Sequence, residues 1–511
     1  MKFRILLTLV VASFCALLPA CGSPSDKTRV TVRLVHAVTN GGAVDIWIQG
    51  RDTKLYENVQ FRTVTLALSL KPGTYVFEVY RAFDSRSEDP LFVTNPLTLE
   101  AGTPRATLVA TGLAGVDPMD PNAPRIITVS DGFSNLAEVE PLVRFVHAAT
   151  GAPNLDLTID DDDPLGGGDD DQDGIVLDLP QYGTSAPEGL PVDAEDPEQL
   201  LVLDADTDAL LTSFTVPALR ESGRYLVIFL GSLAVSPRRT EGFDLMIVDE
   251  ESNVVTVQQN PRVYIMNAVA DAPLINGVYQ RLDPQLEPIS LPAVLDIDFA
   301  FGALGGVSGT SIMLAPGNYE FAFDVPVTNP FPTVQPLLGS GVTDLLVAGE
   351  QYLFCVNGRA DQTFPFQLVR ASDKFDLDDP LAADMSLWRF VHAAPDATAV
   401  VLGQIVQTVF SALAGFPTSI VVGGTPDPIG VDVGIDEFGL VIARETDLEQ
   451  FGAWPVDPTD GGREFVVLLG STFGTPLPDT IADIRLVFVD TNVQPWTTAE
   501  LFPLAPAPDP E

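Results

Sequence analysis

Three histidines occur in the 511-residue chain, and all three stand at one position of one repeated motif. The copies are Arg33–Leu34–Val35–His36–Ala37, Arg144–Phe145–Val146–His147–Ala148 and Arg389–Phe390–Val391–His392–Ala393. A degenerate copy, Tyr264–Ile265–Met266–Asn267–Ala268, carries Asn267 instead. An aspartate follows nine residues after two of the histidines, giving the pairs His36/Asp45 and His147/Asp156. In the other copies the pairs become Asn267/Asn276 and His392/Val401. An imidazole beside a carboxylate can act as a general base, bind a metal or fix a hydrogen bond. Asn40–Gly41 is a strong hairpin turn signal. A hairpin turning there places His36 opposite Asp45, with Cβ atoms about 5 Å apart. The catalytic and the structural reading make different demands. A catalytic site is normally assembled once, whereas this pair recurs, and the Asn–Asn copy keeps hydrogen bonding but loses the titrating group. No Gly-x-Ser-x-Gly elbow or His-Glu-x-x-His zinc motif accompanies any copy. The balance favours a register-pinning hydrogen bond.

The second cluster is acidic. Residues 160–173 hold eight aspartates and no basic residue. Asp169, Asp171 and Asp173 fall at positions 1, 3 and 5 of a stretch with Gly174 at position 6, resembling the first half of an EF-hand calcium loop. Asp178 lies at position 10, but Pro180 stands where the bidentate acid should be. Two readings stay open: an atypical calcium site borrowing ligands from residues 160–163, and a solvated acidic insertion. Ca²⁺ is the one cofactor in view. For an enzyme the best candidates are His392 with Asp396, or Asp432 with Asp436 and Glu437, and none has a supporting partner in the sequence.

The positioning elements begin with an address. Met1–Lys2–Phe3–Arg4 is a positive head, and the apolar run from Ile5 to Leu18 has the length of a signal segment rather than a membrane span. Leu18–Pro19–Ala20–Cys21 resembles the lipobox of bacterial lipoproteins. The resemblance implies cleavage after residue 20, acylation of Cys21 and, with Gly22 following, sorting to an outer membrane. Several acyl chains would make a stable anchor. With Cys15 removed and Cys21 acylated, Cys355 stands alone, so no intrachain disulfide is expected. It sits in an apolar strand pattern and reads as a buried, inert thiol.

The motif copies divide the chain into four units, separated by 111, 120 and 125 residues. Each unit closes on a strand ending in glycine: Gly112, Gly231, Gly358 and Gly470. With 41 Gly and 43 Pro in the chain, long helices are disfavoured. Each unit yields about seven short alternating strands at the spacing of a sandwich. The expected fold is all-β: four tandem antiparallel β-sandwich (Ig-like) domains in a row. Their bounds are 29–133, 141–252 with an insertion at 160–174, 261–370, and 386–492. A signal peptide (1–20) and a tether (21–28) precede them, and a Pro-rich tail (493–511) follows. Linkers are expected near 134–140, 253–260 and 371–385.

Val391–His392–Ala393–Ala394–Pro395–Asp396–Ala397 resembles the opening signature of domain-of-unknown-function family 4397. Val44–Asp45–Ile46 and Leu155–Asp156–Leu157 resemble that family's Val-Asp-Val strand. Lys71–Pro72–Gly73–Thr74–Tyr75 and Ala315–Pro316–Gly317–Asn318–Tyr319 resemble its turn. The resemblance implies an envelope-exposed β-rich domain and carries no catalytic residues. Composition narrows function further. Seventy acidic against 27 basic residues give a formal charge of −43, which repels nucleic acid. The expectation is a non-catalytic envelope lipoprotein, held to the membrane through Cys21. It would contact an unidentified envelope protein or polysaccharide in a structural or adhesive role. A calcium-dependent carbohydrate- or matrix-binding adhesin is the alternative, and an envelope hydrolase a remoter one.

Overall fold

The computed structural model describes residues 29–501, except for several short stretches and the longer ones 161–173, 283–292, 326–336, 376–384 and 471–483. Every regular element among the described residues is a β-strand. In unit one the strand order of one sheet is Arg125–Ser130, Arg105–Leu113, Val30–Thr39 and Thr63–Val64, with Leu68–Leu70 also pairing Val30–Thr39. The facing sheet runs Lys54–Val59, Val44–Ile48, Phe77–Arg81 and Phe92–Val93. As expected, the unit is built of short strands, with Gly73–Tyr75 and Leu97–Leu99 forming a separate two-stranded piece. One expectation of pure antiparallel pairing is refined. The histidine strand runs parallel to the unit's closing strand, with Val35 opposite Val109 and His36 opposite Ala110. The same parallel pair recurs with His147 opposite Phe229, Asn267 opposite Val356 and His392 opposite Leu468. These sheets are therefore mixed.

The parallel pair explains why the motif is apolar almost throughout. A parallel sheet covered on both faces reads as a continuous hydrophobic run. Here one face of the histidine strand packs inside its own sandwich: Val30, Val32, Leu34 and Val38 join Val44, Ile46, Phe77 and Val79 in unit one's core. The other face packs on the next unit. Val35, Ala37 and Val109 meet Val146, Ala148, Ile228 and Met246 of unit two. Units three and four repeat this, with Tyr264, Met266 and Cys355 against Val391, Val467 and Val487. The four sandwiches are thus not simply a row: they form two back-to-back pairs.

Each pair interface is isologous, the same patch being used by both units. The first residue of the motif reaches the end of a strand in the partner unit's facing sheet. Arg33 donates to the Asp249 carbonyl at 2.6 Å, and Arg144 donates to the Ser130 carbonyl. In the second pair Arg389 donates to the carbonyls of Ser372 and Lys374 at 2.6 and 2.7 Å. Tyr264, at the same motif position, stacks on Trp496 with ring centroids 4.2 Å apart and planes 10° apart.

Two expected boundaries move. The linker at 253–260 includes a fifth sheet strand, Val254–Val257. Beyond it, buried Gln259 and Asn260 are stitched to unit two: Gln259 donates to the Phe243 carbonyl at 2.9 Å, and Asn260 donates to Ser213 through its backbone and side chain at 2.8 and 2.9 Å. The expected tail also starts with structure, because Thr497–Leu501 pairs with Arg485–Asp490 as unit four's fifth strand.

Candidate functional site

The histidine position is the repeated chemical feature, and the structure assigns its partners differently from the hairpin expectation. Val30–Thr39 and Val44–Ile48 lie in different sheets. The turn at Asn40, with φ of 59°, carries the chain across the sandwich rather than into a hairpin. His36 and Asp45 consequently do not face each other. The His36 Nε2–H donates to the Gly42 carbonyl at 2.6 Å, and Nδ1 accepts the Val38 N–H at 3.2 Å. A carbonyl can only accept, so this pattern fixes the neutral Nε2–H tautomer. His147 donates to the Pro153 carbonyl at 2.9 Å and His392 to the Thr398 carbonyl at 3.2 Å. All three partners lie six residues on, in the crossover between sheets. In these two copies Nδ1 finds no donor among the described residues.

Asn267 reproduces the arrangement with a shorter side chain. Its Nδ2 donates to the Ala272 carbonyl at 3.0 Å, five residues on, and to the Phe299 carbonyl at 3.1 Å. Its Oδ1 accepts the Val269 N–H at 2.9 Å, the counterpart of the Val38 bond. The position pins a crossover loop to the sheet end. All four side chains are fully buried. Burial disfavours the imidazolium, which lowers the pKa of His36 and takes His147 and His392 down to about 4. The three imidazoles sit in three separate sandwiches and share no pocket.

The aspartates nine residues on have their own task. Asp45 accepts the Asn58 N–H at 2.7 Å and pairs with Lys54 at 2.7 Å. Asp156 accepts the Asp178 N–H at 2.6 Å. Asn58 and Asp178 are both left-handed, with φ of 50° and 53°. The ladder shifts register beside each aspartate, between Val44 and Ile46 and between Leu155 and Leu157. The carboxylate therefore clamps a β-bulge on the neighbouring strand. Register shifts again around Asn276, between Ile275 and Gly277. In unit four, where Val401 replaces the acid, the ladder is regular from Gly403 to Ala412, but beside Val401 the partner changes from Ala412, opposite Gly403, to Ile420, opposite Val400. The sequence signal that could have separated these two roles was the lack of an acid in unit four beside an intact histidine.

Of the expected calcium ligands, Asp178 is the exposed bulge residue, and its carboxylate accepts from Asn154 Nδ2 at 2.8 Å. Asp169, Asp171 and Asp173 lie outside the described residues, as do Cys21 and the signal segment. Among the described residues no group of three or more His, Cys, Asp or Glu is placed to hold a metal ion. Asp436 and Glu437 of the hydrolase candidate also lie outside them. Cys355 is buried in the interface of units three and four, and burial pushes its thiol pKa up.

Among the described residues the tryptophans make poor platforms for sugar stacking. Trp388, Trp454 and Trp496 are buried. Trp47 is partly exposed, but Arg86 lies 4.9 Å and Lys54 5.9 Å from its ring centroid. A groove of about 470 Å³ opens at the sandwich edge of unit one, lined by Leu55, Tyr56, Leu66 and Leu68 among others.

The fold and these sites define a tandem β-sandwich protein whose repeated polar positions hold loops and bulges. Residues 30–158, spanning unit one and the first strands of unit two, match the domain-of-unknown-function family DUF4397. The resemblance to that family holds over this stretch. No curated protein matches the chain. Among solved structures the chain is similar to the Bacillus anthracis TIE protein at 9% identity and a TM-score of 0.13, with 64% of this chain and 50% of that chain covered. The chain thus spans half the length of that structure, and at that score the likeness bears on neither fold nor function.

Proposed function

We propose that the protein is a non-catalytic lipoprotein of a bacterial cell envelope, anchored through Cys21 and presenting two double sandwiches in a structural or binding role. One observation carries the reading. All three histidines are buried and donate to backbone carbonyls of their own unit, so the one repeated chemical motif is spent on folding. The lipobox-like segment supports a tether. Stitched linkers and apolar pair interfaces suit a body that must keep its shape at a distance from the membrane. The acidic surface suits a partner that is basic, neutral or bridged by divalent cations.

Cell fractionation tests the anchor: the wild-type chain should pellet with membranes and Cys21→Ser should appear in the soluble fraction. A hydrolase panel on the ectodomain tests the rest. Turnover abolished by His392→Asn, with the fold retained, would overturn the non-catalytic reading.

A further inference from the structure

Val64, Leu66, Leu68 and Leu70 alternate as in a strand with one buried face. The structure leaves that face partly uncovered. Pairing with Val30–Thr39 is interrupted between Val64 and Leu68, and Leu66 and Leu68 are 84% and 36% exposed. They form one lip of the groove of about 470 Å³, with Leu55 and Tyr56 of the edge strand Lys54–Val59 also lining it. The place where the chain enters says what lies nearby. Val30 pairs with Leu70, and Arg29 holds the adjoining Ser69 through its hydroxyl at 2.8 Å and its carbonyl at 2.7 Å. Cys21 stands eight positions before Arg29, a span of at most about 28 Å. Charge points the same way. Residues 29–133 hold ten of the 27 basic residues but only eleven of the 70 acidic ones, so unit one is close to neutral in a strongly acidic chain. Arg29, Arg51 and Lys71 are exposed at this end, with Tyr75 donating to the Lys71 carbonyl at 2.6 Å and lying 5.8 Å from Arg51. The acids beside them are Glu57 and Glu78, paired with Lys54 and Arg86 at 2.8 and 3.0 Å, and the exposed Asp52 and Glu100.

We propose that this edge of unit one docks on the anionic phospholipid surface that holds Cys21, with Leu66 and Leu68 entering the headgroup layer and Arg29, Arg51 and Lys71 meeting lipid phosphates. The inference rests on acylation of Cys21. The anchor makes the second contact intramolecular, at an effective concentration on the order of millimolar for a short flexible tether, so a small patch suffices. The acidic insertion does not oppose it. That insertion joins the two strands at one edge of unit two's outer sheet, Leu155–Asp160 and Gly174–Leu179. The strand at the opposite edge, Leu210–Val216, bridges through Phe214 to Gln259. Gln259 in turn holds the Phe243 carbonyl, next to the Gly242 carbonyl that takes Arg62 at 3.0 Å. These contacts place the open edge of unit one and the acidic insertion on opposite sides of the pair, and salt screens charges beyond about 8 Å.

The test uses the full processed protein reconstituted in vesicles of phosphatidylcholine and phosphatidylglycerol (about 7:3) that carry a spin-labelled lipid. Leu66→Cys and Met119→Cys each receive a thiol-reactive fluorophore, Cys355 being buried and Cys21 acylated. Met119 is 91% exposed in the loop that follows Arg105–Leu113, at the other end of the same unit. Lipid quenching at position 66 should exceed that at 119 by about threefold or more, and high salt should reduce the excess. Adding Leu68→Glu and Lys71→Glu to Leu66→Cys should bring it down to the level of 119. Protein that floats with the vesicles but is quenched equally at both positions, or at neither, would overturn the docking and leave the anchor standing. The same holds if the excess at 66 survives the Leu68→Glu and Lys71→Glu changes. Protein that does not float would overturn the anchor, and the docking with it.

Discussion

Replacing His36 by asparagine and by leucine separates a loop-pinning role from every alternative. His36 satisfies two backbone groups, the Gly42 carbonyl at 2.6 Å and the Val38 N–H at 3.2 Å. Leucine fills similar space and satisfies neither. An orphaned buried backbone group costs about 1–3 kcal/mol, partly offset here by the added apolar side chain, so His36→Leu should cost about 2–4 kcal/mol. Asparagine keeps an acceptor for the Val38 N–H, as Asn267 does for Val269 at 2.9 Å. It is too short to reach six residues ahead, since Asn267 bonds the fifth, Ala272. His36→Asn should therefore cost about 1 kcal/mol, the value of one net hydrogen bond. A four-unit protein does not unfold in one step, so a global melting temperature is the wrong readout. Native-state hydrogen exchange of the Val30–Thr39 amides reports the local free energy. The asparagine variant should lose roughly fivefold in protection and the leucine variant thirtyfold or more, by about 1.4 kcal/mol per factor of ten. Equal losses, or a leucine variant within about twofold of the parent, would refute the pinning role.

The buried titrating groups oppose one another. His147 and His392, lowered to about 4, supply stability that is present above 6.5 and lost as pH falls toward 4. Asp244 and Asp373, raised by burial to about 7 and 6, supply stability that grows as pH falls through the same window. Within unit two, exchange protection of the Arg224–Leu230 amides, whose strand pairs with those of His147 and Asp244, should thus change little between about pH 4.5 and about pH 6.5, whereas in Asp244→Asn it should decline steeply with acid. Arg62 and Asp244 form a buried pair across units one and two at 2.5 Å, and burial lowers the one pKa and raises the other. Replacing both by apolar residues should be neutral or stabilising, and Asp244→Leu alone should cost about 3–5 kcal/mol by stranding Arg62. A chain starting at residue 22 holds Cys355 as its sole thiol. Its labelling should be slow and should accelerate at least tenfold (~) in Trp496→Ala, which removes the stack on Tyr264 at the same interface. Gly231 has φ of 85°, and a Cβ there would lie 1.9 Å from the Gly242 carbonyl oxygen, so Gly231→Ala should destabilise unit two by more than 2 kcal/mol (~) as read by exchange at Arg224–Leu230.

Strand content and unit number were legible because the sandwich writes them locally. Turn glycines, alternation and the histidine motif each depend on a few neighbouring residues. The closing glycines show this well: Gly112, Gly231, Gly358 and Gly470 all have positive φ, from 85° to 131°. The partner of each histidine was less legible, since a nine-residue spacing fits both a hairpin and a crossover. Asn40–Gly41 marks a reversal without saying which sheet receives the next strand. The burial data of Val35 and Ala37 resolve a further ambiguity that the sequence contained. In Arg-x-Val-His-Ala the first, third and fifth residues alternate with the histidine, so they form a second buried face, and an arginine on that face must find carbonyls at its rim.

That second face also identifies what was duplicated. Units one and three share the Pro-Gly-x-Tyr turn, where Tyr75 and Tyr319 each donate to the carbonyl four residues back at 2.6 Å. Units two and four lack it and instead carry a fifth strand in the paired sheet, Val254–Val257 and Thr497–Leu501. Alternation of these features means that the repeating body is the back-to-back pair, not the single sandwich. A lone unit would leave its histidine strand uncovered on the face that bears Arg33, Val35 and Ala37. Pairing within one chain covers that face at fixed stoichiometry and frees the outer sheets to vary. The bulge-clamping acid illustrates the latitude: it is kept in units one and two, becomes Asn276 in unit three and is gone at Val401 in unit four, while the buried polar side chain facing each core persists in all four.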